Sequence, residues 1–152
     1  MMRRTGPVSH TIEVAVAFHD VDMMGVVWHG QYLRYLENAR WALMDHIGYG
    51  FDEMVSSGFL WPVIESHVRY IRPARFRDRL AVQASLVEWE MRLAVNYLAT
   101  DVQSGERVLR GRTVQVAVDP ASGAMTLACP PDFRRAVEAS LRSAGPAADR
   151  PE

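Results

Sequence analysis

The sequence predicts an α+β domain: one long helix packed on an antiparallel sheet of about five to six strands. Three observations carry this. Apolar residues alternate with period two in a first segment. A single helical stripe follows it. Four further alternating segments come after residue 60, two of their breaks being turn signals.

Residues 11–18, TIEVAVAF, put Ile12, Val14, Val16 and Phe18 on one face and predict the first strand. Residues 20–30 are irregular. From about Gly30 to Ile47 the period changes, and Tyr32, Leu36, Ala39, Leu43 and Ile47 fall on one helical stripe. Gly48 is placed to stop that helix. Residues 51–57 add a short helical turn before Gly58. Strands are predicted over 61–71, 79–89, 91–101 and 106–118, with turns at Arg72-Pro73-Ala74 and Gln103-Ser104-Gly105. Asp119 to Gly123 turn the chain into a last short strand over 124–128, and Pro130-Pro131-Asp132 opens a C-terminal helix over 131–142. Residues 1–142 read as one domain and 143–152 as a flexible tail.

One helix covers only one face of such a sheet. Leu80, Val82 and Leu86 alternate with Ala81, Val87 and Trp89, so both faces carry apolar residues. A homodimer or homotetramer is expected.

The composition narrows the function. The chain has 152 residues, 49% of them apolar, and a net charge of −1, which offers no electrostatic footprint for nucleic acid or an acidic membrane. All 17 basic residues are arginine, which excludes a Schiff-base or phosphate-loop lysine. Cys129 is the single cysteine, so no intramolecular disulfide forms, in keeping with a reducing compartment. No apolar run reaches the roughly 18 residues of a membrane helix. The N-terminal MMRRTGPVSH lacks the apolar core of a secretory signal. A cytoplasmic location is the expectation. No spacing suits a metal site, a Gly-rich phosphate loop or a G-x-S-x-G elbow.

Residues 19–31, HDVDMMGVVWHGQ, connect the first strand to the helix. Free backbone N–H groups at a helix start favour negative charge, including an oxyanion forming on a carbonyl carbon. Gly25 and Gly30 allow close approach. An upstream aspartate can activate water or attack the carbonyl itself. The competing reading is an ordinary turn and cap made by Asp20 and Asp22.

The whole pattern is more specific. D-x-D-x-x-G-V-V-x-H, with Tyr32 and then Glu37-Asn38-Ala39-Arg40, resembles the hotdog-fold acyl-CoA thioesterases, most closely the 4-hydroxybenzoyl-CoA thioesterase and YbgC-like branch. The run Tyr70-Ile71-Arg72-Pro73-Ala74-Arg75-Phe76-Arg77-Asp78 resembles the same family's Y-x-x-P-A-R-[YF]-x-D signature. The resemblance spans about residues 9 to 140. It implies a long helix wrapped by an antiparallel sheet, with two units pairing edge to edge. It implies Asp22 as the catalytic carboxylate, the His29 backbone N–H polarising the thioester carbonyl, and Asp20 in support. Val21 stands where relatives often have Thr or Cys, and Met23-Met24 where some have Pro or Ala-Gly. These departures bear on the substrate rather than the reaction.

The expected activity is therefore hydrolysis of an acyl thioester of coenzyme A or of acyl carrier protein. Asp22 is base or nucleophile, the His29 and Gly30 amides form the oxyanion site, and Asp20, Gly25, Val26 and Trp28 support them. Partial burial among Met23, Val26 and Trp28 would suit Asp22 to base chemistry. No cofactor is expected, since coenzyme A or phosphopantetheine belongs to the substrate. Two alternatives stand: a non-hydrolytic acyl-CoA or acyl-carrier binding protein, and a hydratase or dehydratase on the same fold. Glu37 reads as a partner of Arg40. Trp61, Glu65 and His67 are candidates for a pocket or cross-subunit site, set against a solvated stripe. Met23, Met24, Trp28, Phe59 and Trp61 are candidates for an acyl pocket. The arginines at 69, 72, 75, 77, 79, 107, 110 and 112 are candidates for coenzyme A phosphates.

Overall fold

The computed structural model describes residues 7–143. Its elements run β1 (Val8–Ala15), a 3-10 turn (Phe18–Asp20), α1 (Gln31–His46), α2 (Phe51–Ser56), β2 (Val63–Tyr70), β3 (Arg79–Glu88), β4 (Leu93–Asp101), β5 (Arg107–Gln115) and α3 (Pro131–Ser143). The five strands form one antiparallel sheet in the order β1-β3-β4-β5-β2. The sheet has five strands because 124–128 contributes only a single bridge, Met125 to Val118. The expected tail lies outside the described residues except for Ser143, which ends α3.

β1 lies three residues earlier than its alternation predicts. Its partner strand begins at Arg79, opposite Ala15, so the ladder ends there. Phe18 then sits in the 3-10 turn, 74% exposed.

α1 buries the predicted stripe of Tyr32, Leu36, Ala39, Leu43 and Ile47, and adds Tyr35 and Met44. It ends in a Schellman motif. The Tyr49 N–H reaches the Met44 carbonyl at 2.9 Å and the Gly48 N–H reaches that of Asp45 at 3.0 Å. Gly48 has φ +76°, which a side chain would strain. The helix face packs on Leu80, Val82, Ala84 and Leu86 of β3 and on Val95, Tyr97 and Ala99 of β4, all buried. Burying a Leu-sized side chain contributes about 1.5–3 kcal/mol. Gly111 marks a close approach of helix and sheet: a Cβ there would meet Leu36 Cδ1 at 3.0 Å and the His67 carbonyl at 3.3 Å.

α3 closes one end through Phe133, whose ring packs against Tyr49 and Trp61, each 5.3 Å away between centroids. Burial pushes the buried Cys129 thiol up to about 12, which makes it a core residue rather than a nucleophile. Tyr49 donates to Asp132 Oδ2 at 3.0 Å. Burial, with the Asp132 carboxylate adding to it, pushes its phenol from about 10 up to about 12. Between those values the folded chain keeps a proton that the unfolded chain loses. The stabilisation is complete below about pH 10 and falls as pH rises toward 12. Urea midpoints measured across this window should fall less steeply for Tyr49→Phe than for the wild type.

Candidate active site

The loop between β1 and α1 is a small hairpin. Its rungs are Trp28 N–H to the Asp20 carbonyl at 2.9 Å, the Val21–Val27 bridge, and Asp22 N–H to the Val26 carbonyl at 2.9 Å. Gly25, at φ +77°, completes the turn, its N–H on the Asp22 carbonyl at 3.0 Å. Asp22 therefore stands at the tip and Trp28 at the base. Two residues of extended chain separate the rungs, about 7 Å.

Asp20 is the anchor. Its side chain is 5% exposed, and Oδ2 accepts from the Tyr35 hydroxyl at 2.6 Å and from the Ala17 N–H at 3.0 Å. Burial, and after it the Asp20 carboxylate, pushes the Tyr35 phenol well above its usual value. His19 Nε2 lies 3.5 Å from Asp20 Oδ1. Asp22 is half-buried. One oxygen accepts the Met24 N–H at 2.8 Å, an Asx turn, and among the described residues the other oxygen has no hydrogen-bond partner.

The second motif folds against the first. The Val27 N–H donates to the Ala74 carbonyl at 2.8 Å, and the Ala74 N–H donates to the Tyr32 hydroxyl at 3.1 Å. Val26 bridges to Arg75. The Tyr70 hydroxyl donates to the His29 carbonyl at 3.0 Å. The hairpin is thus clamped from α1 and from the segment after β2.

At the start of α1, the Gln31 N–H donates to the Trp28 carbonyl at 2.8 Å. The His29 and Gly30 N–H groups have no acceptor among the described residues. The Trp28 ring lies over Gly30, where an added Cβ would come within 2.4 Å of it. A larger residue at that position must displace the indole.

The apolar neighbours do not enclose Asp22 within one protomer. Asp22 and Val26 are half-buried, but Met23 is 104% exposed, Met24 77% and Trp28 49%, so within one protomer the methionines and the indole do not cover the carboxylate. Phe59 is half-buried. Trp61 joins the Tyr49–Phe133 cluster, where its buried Nε1 has no partner among the described residues. Gly111 faces α1 and pairs with Val68, so Glu65, His67 and Arg69, out of phase with Val68 along β2, point to the opposite face. There Glu65 lies 3.8 Å from Arg92, and His67 lines a hollow of about 810 Å³ with Arg69, Arg107, Arg110 and Arg112. That hollow is across the sheet from the His29 and Gly30 amides. Arg72 pairs with Glu106, Arg79 with Glu13 at 2.5 Å, and Arg112 with Glu88 at 3.9 Å. Arg75 and Arg77 are exposed. Glu37 pairs with Arg40 at 3.2 Å.

Sequence reasoning missed the three tyrosine hydroxyls. Tyr35 sits beside the helical stripe, three residues from Tyr32, and nothing in the sequence places its hydroxyl on Asp20, 15 residues away. Tyr70 lies within the second motif, but its bond to His29 crosses 41 residues.

Residues 16–138 match the thioesterase-like superfamily. A Synechocystis protein named as an esterase, sll0410, is 35% identical over 121 residues, covering 79% of this chain and 73% of its own. The acyl-CoA thioester hydrolase YbgC of Escherichia coli is 28% identical over 109 residues, covering 70% and 80%. The crystal structure of Slr0204, a 1,4-dihydroxy-2-naphthoyl-CoA thioesterase from Synechocystis, superposes with a TM-score of 0.78 at 21% identity, covering 94% of this chain and 99% of that one. With its single antiparallel sheet, its long α1 and a match spanning residues 16–138, the chain belongs to the thioesterase-like superfamily and is by that membership a thioester hydrolase.

Proposed function

We propose that the protein hydrolyses acyl-CoA thioesters at the β1–α1 hairpin. The observation that carries this is that the His29 and Gly30 amides have no acceptor among the described residues, at the base of the hairpin whose tip holds Asp22, with one carboxylate oxygen likewise without a partner there. The thioester carbonyl oxygen takes both amide hydrogens. Asp22 removes a proton from water as the water oxygen bonds to the carbonyl carbon. The negative charge gathers on the carbonyl oxygen, where the amides and the helix start stabilise it. Collapse breaks the carbon–sulfur bond, and the leaving sulfur takes the proton from Asp22. The products are acid and thiol, and no cofactor enters the balance. Direct attack by Asp22 through an anhydride is the other route. In a single turnover in heavy-oxygen water, label in the Asp22 carboxylate would show direct attack with water opening the anhydride at the aspartyl carbon.

The acyl group needs a wall that one protomer does not supply, since Met23, Met24 and Trp28 are exposed. β2 is an edge strand, and Val63, Ile64, Tyr70 and neighbouring Ile71 are 44%, 47%, 49% and 45% exposed. An open edge strand that also exposes apolar side chains pairs readily with a second copy through a two-fold axis. We therefore place a homodimer at β2, with each hairpin facing the partner. Ile64→Asp is expected to turn the dimer into a monomer by light scattering and to lower thiol release with it. The same measurement shows whether dimers associate further. No helix among the described residues is long and apolar enough to cross a membrane. The chemistry fits the cytoplasm, where acyl-CoA is made.

The test is free-thiol release from short aliphatic, long aliphatic and aromatic acyl-CoA, and then from acyl carrier protein thioesters. Release from at least one acyl-CoA is expected. Release from carrier-protein thioesters alone would reassign the substrate. Silence on both would leave binding without hydrolysis.

A further inference from the structure

The two amides at the helix start differ in what holds their far side. The peptide carrying the His29 N–H has the Trp28 carbonyl, which accepts the Gln31 N–H at 2.8 Å within the helix start itself. The peptide carrying the Gly30 N–H has the His29 carbonyl, which accepts the Tyr70 hydroxyl at 3.0 Å. Tyr70 is on a different element, the end of β2, and its ring stands 5.6 Å from that of Tyr32. Tyr32 is in turn fixed by the Ala74 N–H. The residue that carries this N–H is a glycine, so on that side no Cβ restricts the peptide plane, and only the Trp28 ring packs over it.

We propose that Tyr70 is a positioning residue of the oxyanion site: its hydroxyl, donated to the His29 carbonyl, sets the plane of the His29–Gly30 peptide and strengthens the Gly30 N–H as a donor. A hydrogen bond to an amide oxygen polarises the whole peptide, and bonds in series reinforce one another. Donors fixed in advance stabilise developing charge without reorganising at the moment of reaction. The inference rests on the reading of the His29 and Gly30 amides as the oxyanion site.

Tyr70→Phe removes the hydroxyl and keeps the ring on Tyr32. Deleting an oxyanion donor outright costs roughly a hundred- to a thousand-fold in kcat. Loosening one of two donors costs less, so kcat should fall about tenfold with KM unchanged, because the lost contact strengthens only in the transition state. The amide proton of Gly30 should move upfield in the NMR spectrum of the unliganded variant. That of His29, whose peptide is held by Gln31, should stay, and Tm should change little. Asp22→Asn runs beside it as the test of the underlying reading. If Asp22→Asn abolishes thiol release while Tyr70→Phe leaves kcat or the Gly30 resonance unmoved, the reading stands and the role of Tyr70 is overturned. A loss of kcat with both amides shifted together marks a general structural role and also overturns it. If the wild type releases no thiol, the reading falls and the proposal with it.

Discussion

Asp22→Asn should lower thiol release about a thousandfold, within the range that general-base catalysis supplies. The amide is isosteric and its oxygen still accepts the Met24 N–H, so the hairpin tip keeps its turn. What disappears is the second oxygen, the one with no partner among the described residues, together with the negative charge that takes the proton from water. Substrate binding should survive, because the substitution removes a charge and leaves the hairpin's backbone amides in place. The expected signature is therefore a fall in kcat with KM near its original value, and an unchanged Tm. Equal rates for the two proteins would show that another group performs the chemistry.

Asp20→Ala should act on stability first and on activity through it. The carboxylate is 5% exposed and receives both the Tyr35 hydroxyl and the Ala17 N–H. Removing it strands a buried phenol, which costs about 2–3 kcal/mol. For a chain of this size that is a drop in Tm of about 4–12 °C. The base of the hairpin loses its hold on α1, so Asp22 and the His29 amide lose their relative placement and kcat falls as well. Adding Tyr35→Phe removes the stranded hydroxyl. The double variant should recover about 1 kcal/mol relative to additivity. Purely additive losses would mean that the Asp20–Tyr35 bond is not what anchors the loop.

The two aspartates thus divide the work of the D-x-D motif. The buried one is structural, the half-exposed one faces outward, and spacing alone does not tell them apart. Both were legible as a pair in the sequence from their spacing and the motif they open, but the hairpin that separates their roles was not: the segment reads as irregular. The α1 stripe was legible, since Tyr32, Leu36, Ala39, Leu43 and Ile47 lie at helical spacing and all are buried. What the sequence hid is non-local. The end of β1 is set by where β3 begins, at Arg79, and not by the alternation that continues to Phe18. Trp61 reads equally well as pocket or core until α3 brings Phe133 against it. Glu65 and His67 alternate as a cleft stripe would, and only the packing of α1 at Gly111 shows which face they take: the one away from α1, where His67 lines the arginine-rich hollow. Tyr35 and Tyr70 act through single hydroxyls whose partners lie 15 and 41 residues away.

The central claim is that the His29 and Gly30 amides grip the thioester carbonyl while Asp22 supplies the base. Its most direct measurement is the infrared stretch of a carbon-13-labelled thioester carbonyl, taken from the acyl-CoA that the wild type cleaves best and bound at saturation to Asp22→Asn. Two amide donors should pull the stretch below its frequency in water. A bound thioester whose carbonyl absorbs as it does in water would contradict the account.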